Sequence, residues 1–222
     1  MIDIPLLQLE LQGFLNEVLE GDFMLQRVPE ELRRLNDIAF SGNGEPTASP
    51  YFTEAVEVVL KEIALRTFNT PLKLVVISNG SFVAKASVQS ALKRLASQRG
   101  ELWFKLDRGS VAGRQIVNEV ELSNELILER LNSAANVIPI WLQTCLFCED
   151  GAPPSDDEKL AFLDLIAQAL SNGTQLRGVM LYTLARPSLQ PGAERLSSMS
   201  EEQIQTWAQP LREMGLAVHV NA

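Results

Sequence analysis

The stretch Leu72-Lys73-Leu74-Val75-Val76-Ile77-Ser78-Asn79-Gly80 decides the fold. Leu72 to Ile77 is a short apolar run rich in β-branched residues, too short for an independent helix and bounded by turn formers, so it reads as a buried strand. Val83 to Gln98 follows with helical spacing. The same pairing recurs on both sides. Upstream, Ile38-Ala39-Phe40 is a short strand that runs into Ser41-Gly42-Asn43-Gly44-Glu45-Pro46, and Tyr51 to Arg66 is a helix with Phe52, Ala55, Val56, Val59, Leu60 and Ile63 on one side. Downstream, strands are expected at Glu101 to Leu106, Val137 to Thr144, Gly178 to Thr183 and Leu216 to Val220. Helices are expected at Asn124 to Leu131, Asp156 to Ser171 and Ser200 to Met214. At the N-terminus Leu6 to Leu19 carries a further helical stripe with Pro5 in its first turn, and Glu30 to Leu35 a short helical piece. Pro139 is placed near the start of its strand or at a bulge, because it cannot donate to a ladder.

Strand–helix alternation argues for a parallel sheet with crossover helices, and apolar rather than alternating strands argue for cover on both faces. About six strands are visible. The expected class is α/β, a partial or open TIM-type barrel whose first strand is missing, with a flavodoxin-like doubly wound sheet as the alternative. No linker divides the chain, so residues 1–222 are expected to form one N-terminally incomplete domain. Gly151 to Pro154 and Arg186 to Ser200 read as surface loops.

The 222 residues are 46% hydrophobic and 21% charged, with a net charge of −9, a globular composition. An acidic chain repels phosphate backbones, so nucleic acid is not an expected partner. No apolar run approaches the ~18 residues of a membrane span, and the N-terminus shows no signal-peptide pattern. Two cysteines are too few for a disulfide framework. A cytoplasmic protein is the expectation.

In parallel α/β folds ligands bind beyond the carboxyl ends of the strands. That rule selects Gly42 to Thr47, Ser78 and Asn79, Lys105 and Asp107, Gln143 and Thr144, and Tyr182 with Arg186. The same residues also read as helix caps. In the Gly42-Asn43-Gly44-Glu45-Pro46 turn, glycines permit close backbone approach, Glu45 offers a carboxylate to a cation, and Pro46 fixes the backbone behind it. A tight strand-to-helix turn without a ligand is the competing reading.

Ile38 to Thr47 resembles the glycine-rich motif of radical S-adenosylmethionine enzymes. Val76 to Gly80, Trp103 to Asp107, Leu142 to Thr144 and Leu181 to Pro187 resemble, in order, later strand ends of an uncharacterised subgroup of that family. The resemblance implies S-adenosylmethionine as cofactor. Gly42, Asn43, Gly44, Glu45 and Pro46 would hold the methionine ammonium group; Asn79, Lys105 and Asp107 its carboxylate or the ribose; Gln143 lies at a further strand end, and Tyr182 to Leu184 would lie beside the adenine. It also implies a [4Fe–4S] cluster whose electron cleaves the cofactor to a 5′-deoxyadenosyl radical, a small-molecule or unknown substrate, and an electron donor.

The family holds its cluster by a Cys-x3-Cys-x2-Cys segment that does not occur in this sequence. Clusters need thiolates, and the only thiols are Cys145 and Cys148. They read as buried small hydrophobes, or else as a redox or metal pair; His219 reads as a structural strand residue. The chain is therefore expected to be a truncated or degenerate family member that does not assemble the cluster alone. An exposed sheet edge is expected to invite a dimer or another partner. Two further readings stand beside this one: a non-catalytic module that binds S-adenosylmethionine or a nucleoside, and an unrelated barrel enzyme using Glu45, Lys105 and Asp107 as acid–base groups.

Overall fold

A computed structural model describes residues 2–42, 44–186 and 192–221. Eight α-helices and eight strands are described: α1 (Ile4–Leu19), α2 (Phe23–Arg27), β1 (Asp37–Phe40), α3 (Phe52–Ala64), β2 (Lys73–Ser78), α4 (Ala86–Ala96), β3 (Gly100–Lys105), α5 (Val111–Asn118), α6 (Asn124–Ala135), β4 (Ile140–Cys145), β5 (Phe147–Glu149), α7 (Asp156–Ser171), β6 (Leu176–Tyr182), β7 (Leu196–Ser198), α8 (Glu201–Glu213) and β8 (Ala217–Asn221). Six strands form one sheet in the order β1-β2-β3-β4-β6-β8, and β5 pairs with β7 in a separate two-stranded sheet. The six-stranded parallel sheet with crossover helices is the α/β class expected from the strand–helix alternation.

The chain divides into two compact units, Met1–Ile77 with Ser81–Glu101, and Ser78–Gly80 with Leu102–Ala222. In the first unit, Asp3 caps α1 by accepting from Leu6 N at 3.0 Å. Helix α1 turns Leu15 and Val18 inward. The buried stripe of α3 is Phe52, Ala55, Val56, Val58, Val59 and, unexpectedly, Glu62. Glu62 is fully buried. Its Oε1 accepts from Gln8 and Gln12 of α1, each at 2.8 Å, and its Oε2 pairs with Arg66 at 2.8 Å. Burial opposes its ionisation, but these partners hold its pKa below the ordinary value. A buried carboxylate survives when it is this fully paired.

In the second unit β3 pairs with β4, β4 with β6 and β6 with β8, all in parallel. Pro139 lies just before β4, and its carbonyl accepts from Leu102 N at 2.9 Å, so the proline sits at the strand start as expected. Helix α7 is capped by Ser155 and carries Asp156, Asp157 and Glu158 in its first turn, where carboxylates meet the positive helix end. Helix α8 opens with a capping box of Ser200 and Gln203.

Four sequence expectations are corrected. Glu30 to Leu35 is not a helix but a single 3-10 turn, Glu30–Leu32. The helix expected from Val83 begins at Ala86. The stretch between β3 and α6 contains α5, hidden by a polar pattern around Gly113 and Arg114. The segment expected as loop from Arg186 to Ser200 contains β7, antiparallel to β5.

Candidate functional site

The strands of the second unit are not covered equally on both faces, which corrects the expectation drawn from their apolar runs. Leu102, Phe104, Ile140, Leu142, Thr144, Val179 and Leu181 are 0% exposed. The alternate residues Trp103, Trp141, Gln143, Cys145, Met180 and Tyr182 are half-buried, and Lys105, His219 and Asn221 are exposed. Side chains alternate across a strand, so these residues share one open face. The register sets them in rows: Trp103, Trp141, Gly178 and Ala217; then Lys105, Gln143, Met180 and His219; then Cys145, Tyr182 and Asn221 at the carboxyl end. Tryptophan, methionine and cysteine read as core in an apolar run, which is why the sequence concealed this amphipathic face.

Gly178 shapes the floor of that face. A Cβ there would stand 2.5 Å from the Trp141 ring and 2.2 Å from the Ala217 carbonyl oxygen. Trp141 lies over it and meets the His219 ring at 5.0 Å between centroids. One row above, Gln143 Oε1 is buried with no hydrogen-bond partner. Buried polar atoms are nearly always paired, and leaving one unpaired costs about 1–3 kcal/mol.

The carboxyl ends of β3, β4 and β6 interlock. Asp107, 7% exposed, accepts from Cys145 N at 2.9 Å and from Asn118 Nδ2 at 3.2 Å. Its carboxylate thus takes over a ladder bond where β3 ends. Arg108, 5% exposed, donates through Nη1 to the carbonyls of Asp107 (2.7 Å) and Cys145 (3.2 Å) and lies 4.6 Å from the Phe147 ring centroid. Burial lowers its pKa, against the opposing charges of Asp107 and Glu158. Cys145 and Tyr182 hydrogen-bond through their side chains. Burial, then the Asp107 charge, pushes the Cys145 thiol up to about 11 and the Tyr182 phenol well above its usual range. Both side chains are neutral at physiological pH.

The loop after β3 is held from two sides. Glu158 of α7 accepts from Gly109 N at 2.6 Å and Ser110 N at 3.1 Å, and from Ser110 Oγ. Arg114, 2% exposed, donates to the carbonyls of Gly109 (2.6 Å) and Leu122 (2.7 Å) and to Asn124 Oδ1 (2.6 Å). Arg108, Arg114 and Glu158 were not singled out by sequence reasoning. Arg108 was in reach of the strand-end rule, directly after Asp107. Nothing local marks Glu158, whose partners lie 48 and 49 residues away.

The strand-end candidates therefore separate. Lys105, Asp107, Gln143 and Tyr182 belong to the second unit, on or beside its open face. Asn79 belongs to the same unit and is exposed. Gly42, Gly44, Glu45 and Pro46 belong to the first, and Asn43 lies outside the described residues. In that turn Glu45 accepts from Thr47 N at 3.1 Å and from Thr47 Oγ1, capping a short 3-10 turn, Pro46–Ala48. Gly44 has φ +154°, a conformation that favours glycine.

The donor set does not fit an iron–sulfur cluster. The sequence has two cysteines; Cys145 keeps its proton to about 11 and Cys148 is 4% exposed. Among the described residues no three His, Cys, Asp or Glu side chains are grouped to hold a metal ion. No helix of the described residues is long and apolar enough to cross a membrane.

No protein-family model matches this sequence, and no curated protein matches it. Solved structures do. A domain of pyruvate-formate lyase-activating enzyme from Bacteroides vulgatus is 20% identical with a TM-score of 0.58, over 84% of this chain and 99% of that one. Archaeal TYW1 is 19% identical with a TM-score of 0.56, over 96% of this chain and 63% of that one. A radical SAM methyltransferase from Sphaerobacter thermophilus is 20% identical with a TM-score of 0.56, over 84% of this chain and 50% of that one. The chain thus spans nearly all of the first structure and half to about two thirds of the others. These likenesses establish a shared fold.

Proposed function

We propose that this chain is a radical S-adenosylmethionine-type protein that binds S-adenosylmethionine, or a related adenosyl ligand, on the open face of its second unit. One observation carries the reading: Gln143 Oε1, buried without a partner between Lys105 and Met180 on a half-buried face. An orphaned acceptor in that position is the mark of a group waiting for a ligand N–H. The shared fold with a radical SAM methyltransferase supports the family, and the ordered strand-end resemblance supports the ligand. Lys105 and Asp107 are assigned to the carboxylate or ribose, and Tyr182 to the adenine side. Gly42, Asn43, Gly44, Glu45, Pro46 and Asn79 are assigned by resemblance alone.

When bound in the family, the cluster supplies the electron that cleaves the cofactor. The thiols of this chain do not suit that group. This polypeptide is proposed to bind the ligand without assembling the cluster itself, whether as a piece of a longer enzyme or as a degenerate relative. The electron donor and substrate of the family belong to the longer-enzyme case. Pairing of two copies through the sheet edge at β1 is the proposed oligomeric state, and sedimentation analysis checks it.

Calorimetry with S-adenosylmethionine tests the ligand. A saturable heat is expected; neither heat nor thermal shift at millimolar ligand would sink the reading. Anaerobic reconstitution with iron and sulfide, followed by electron spin resonance, tests the second clause. A stoichiometric [4Fe–4S] signal would overturn it.

A further inference from the structure

Arg108 also lines a hollow of about 440 Å³ within the second unit, whose walls include none of the residues assigned above. That volume is within the range of small-molecule sites. Its walls are the guanidinium of Arg108, the ring of Phe147, Ile116 and Val117 of α5, and Pro153 and Pro154. Ile116 is 68% exposed and continues the apolar wall to the surface.

Arg108 makes this more than a dent. The residue is 5% exposed, yet all its hydrogen bonds leave through Nη1, to two backbone carbonyls. Among the described residues Nε and Nη2 have no partner, although the side chain lines the hollow. A guanidinium edge with two parallel N–H groups matches a carboxylate. The carboxylates nearby do not fill that role. Glu158 is spent on Gly109 and Ser110, and Glu149 pairs with Arg195 at 3.0 Å. Glu149 and Asp157 also stand in the lining, so the wall carries negative charge that opposes a second negative charge on a ligand.

We propose that this hollow binds a small monocarboxylic acid with an apolar or aromatic body, its carboxylate on the free edge of Arg108 and its body against Phe147, Ile116 and Val117. The proposal does not rest on adenosylmethionine binding. Dianions are rejected, because they would face Glu149 and Asp157.

Phenylacetate, phenylacetamide and phenyl phosphate share one aryl body and separate the claims. Titration of the full chain followed by nuclear magnetic resonance should give a Kd on the order of 1 mM for phenylacetate, as expected for a ligand of this size. The amide and the phosphate should each bind at least ~10-fold more weakly. The amide forfeits the charge-assisted pair with Arg108, and the phosphate sets a second negative charge against Glu149 and Asp157. Arg108→Gln should abolish the preference for carboxylate over amide. Arg108 also braces two carbonyls, so Ala112→Trp provides a second test. Ala112 is an exposed residue of the lining, and its enlargement should block phenylacetate while thermal stability stays unchanged. Equal binding of acid and amide, tighter binding of the phosphate, no binding of phenylacetate at ten times the expected Kd, or undiminished binding to a folded Ala112→Trp protein would each overturn the proposal.

Discussion

The turn at Ser41 to Pro46 and the strand ends at Lys105 to Arg108, Gln143 to Cys145 and Tyr182 were singled out by the same rule, yet they are built differently. Ser41, Gly42 and Gly44 are exposed, and a Cβ on Gly42 or Gly44 would meet nothing within 4 Å. The carboxylate of Glu45 bonds two residues along its own chain. At the other strand ends, Asp107 and Arg108 are buried and their bonds cross from one strand to the next. A carboxylate that caps its own turn is replaced at about the ordinary cost of a cap. A buried cluster whose members satisfy one another fails when one is removed.

The largest effect is expected from Asp107→Ala. It orphans the Cys145 N–H and removes a negative charge that favours the charged Arg108 guanidinium, and it should cost about 3 kcal/mol in denaturant unfolding. A loss below ~1 kcal/mol would mean the cluster is no more than a set of caps. Gly178→Ala comes next, at about 2 kcal/mol, because the new methyl meets backbone as well as the Trp141 ring. Displacement of Trp141 should also change the tryptophan emission.

These two residues show what the sequence carries and what it hides. The strand–helix order was readable because each run is short, apolar and bounded by turn formers. The order in which strands lie beside one another, and hence the row Lys105, Gln143, Met180 and His219, is a tertiary fact with no local mark. Gly178 opens an apolar run and looks like a strand boundary; its purpose appears only once Trp141 lies across it. Glu62 and Glu158 are ordinary helix carboxylates by pattern, and only long-range partners make one a buried clamp and the other a brace for the β3 loop.

Two smaller effects bear on the same contrast. Gln143→Leu should raise stability by about 1 kcal/mol, since it removes a buried acceptor that has no partner. A fall in stability would show that Gln143 is structurally engaged and would remove the basis for the ligand assignment. Glu45→Ala should cost only ~0.5–1 kcal/mol, the ordinary value of a lost cap. A larger loss, near that of Asp107→Ala, would erase the difference between the two regions.

The direct test of ligand binding at the open face is titration of S-adenosylmethionine into the parent chain and into Gln143→Leu, each followed by nuclear magnetic resonance and by denaturant unfolding. Saturable binding to the parent is expected, with binding at least ~10-fold weaker in the variant through loss of a buried hydrogen bond, and a variant more stable than its parent. Equal affinity in both proteins, or no binding to the parent at millimolar ligand, would contradict it.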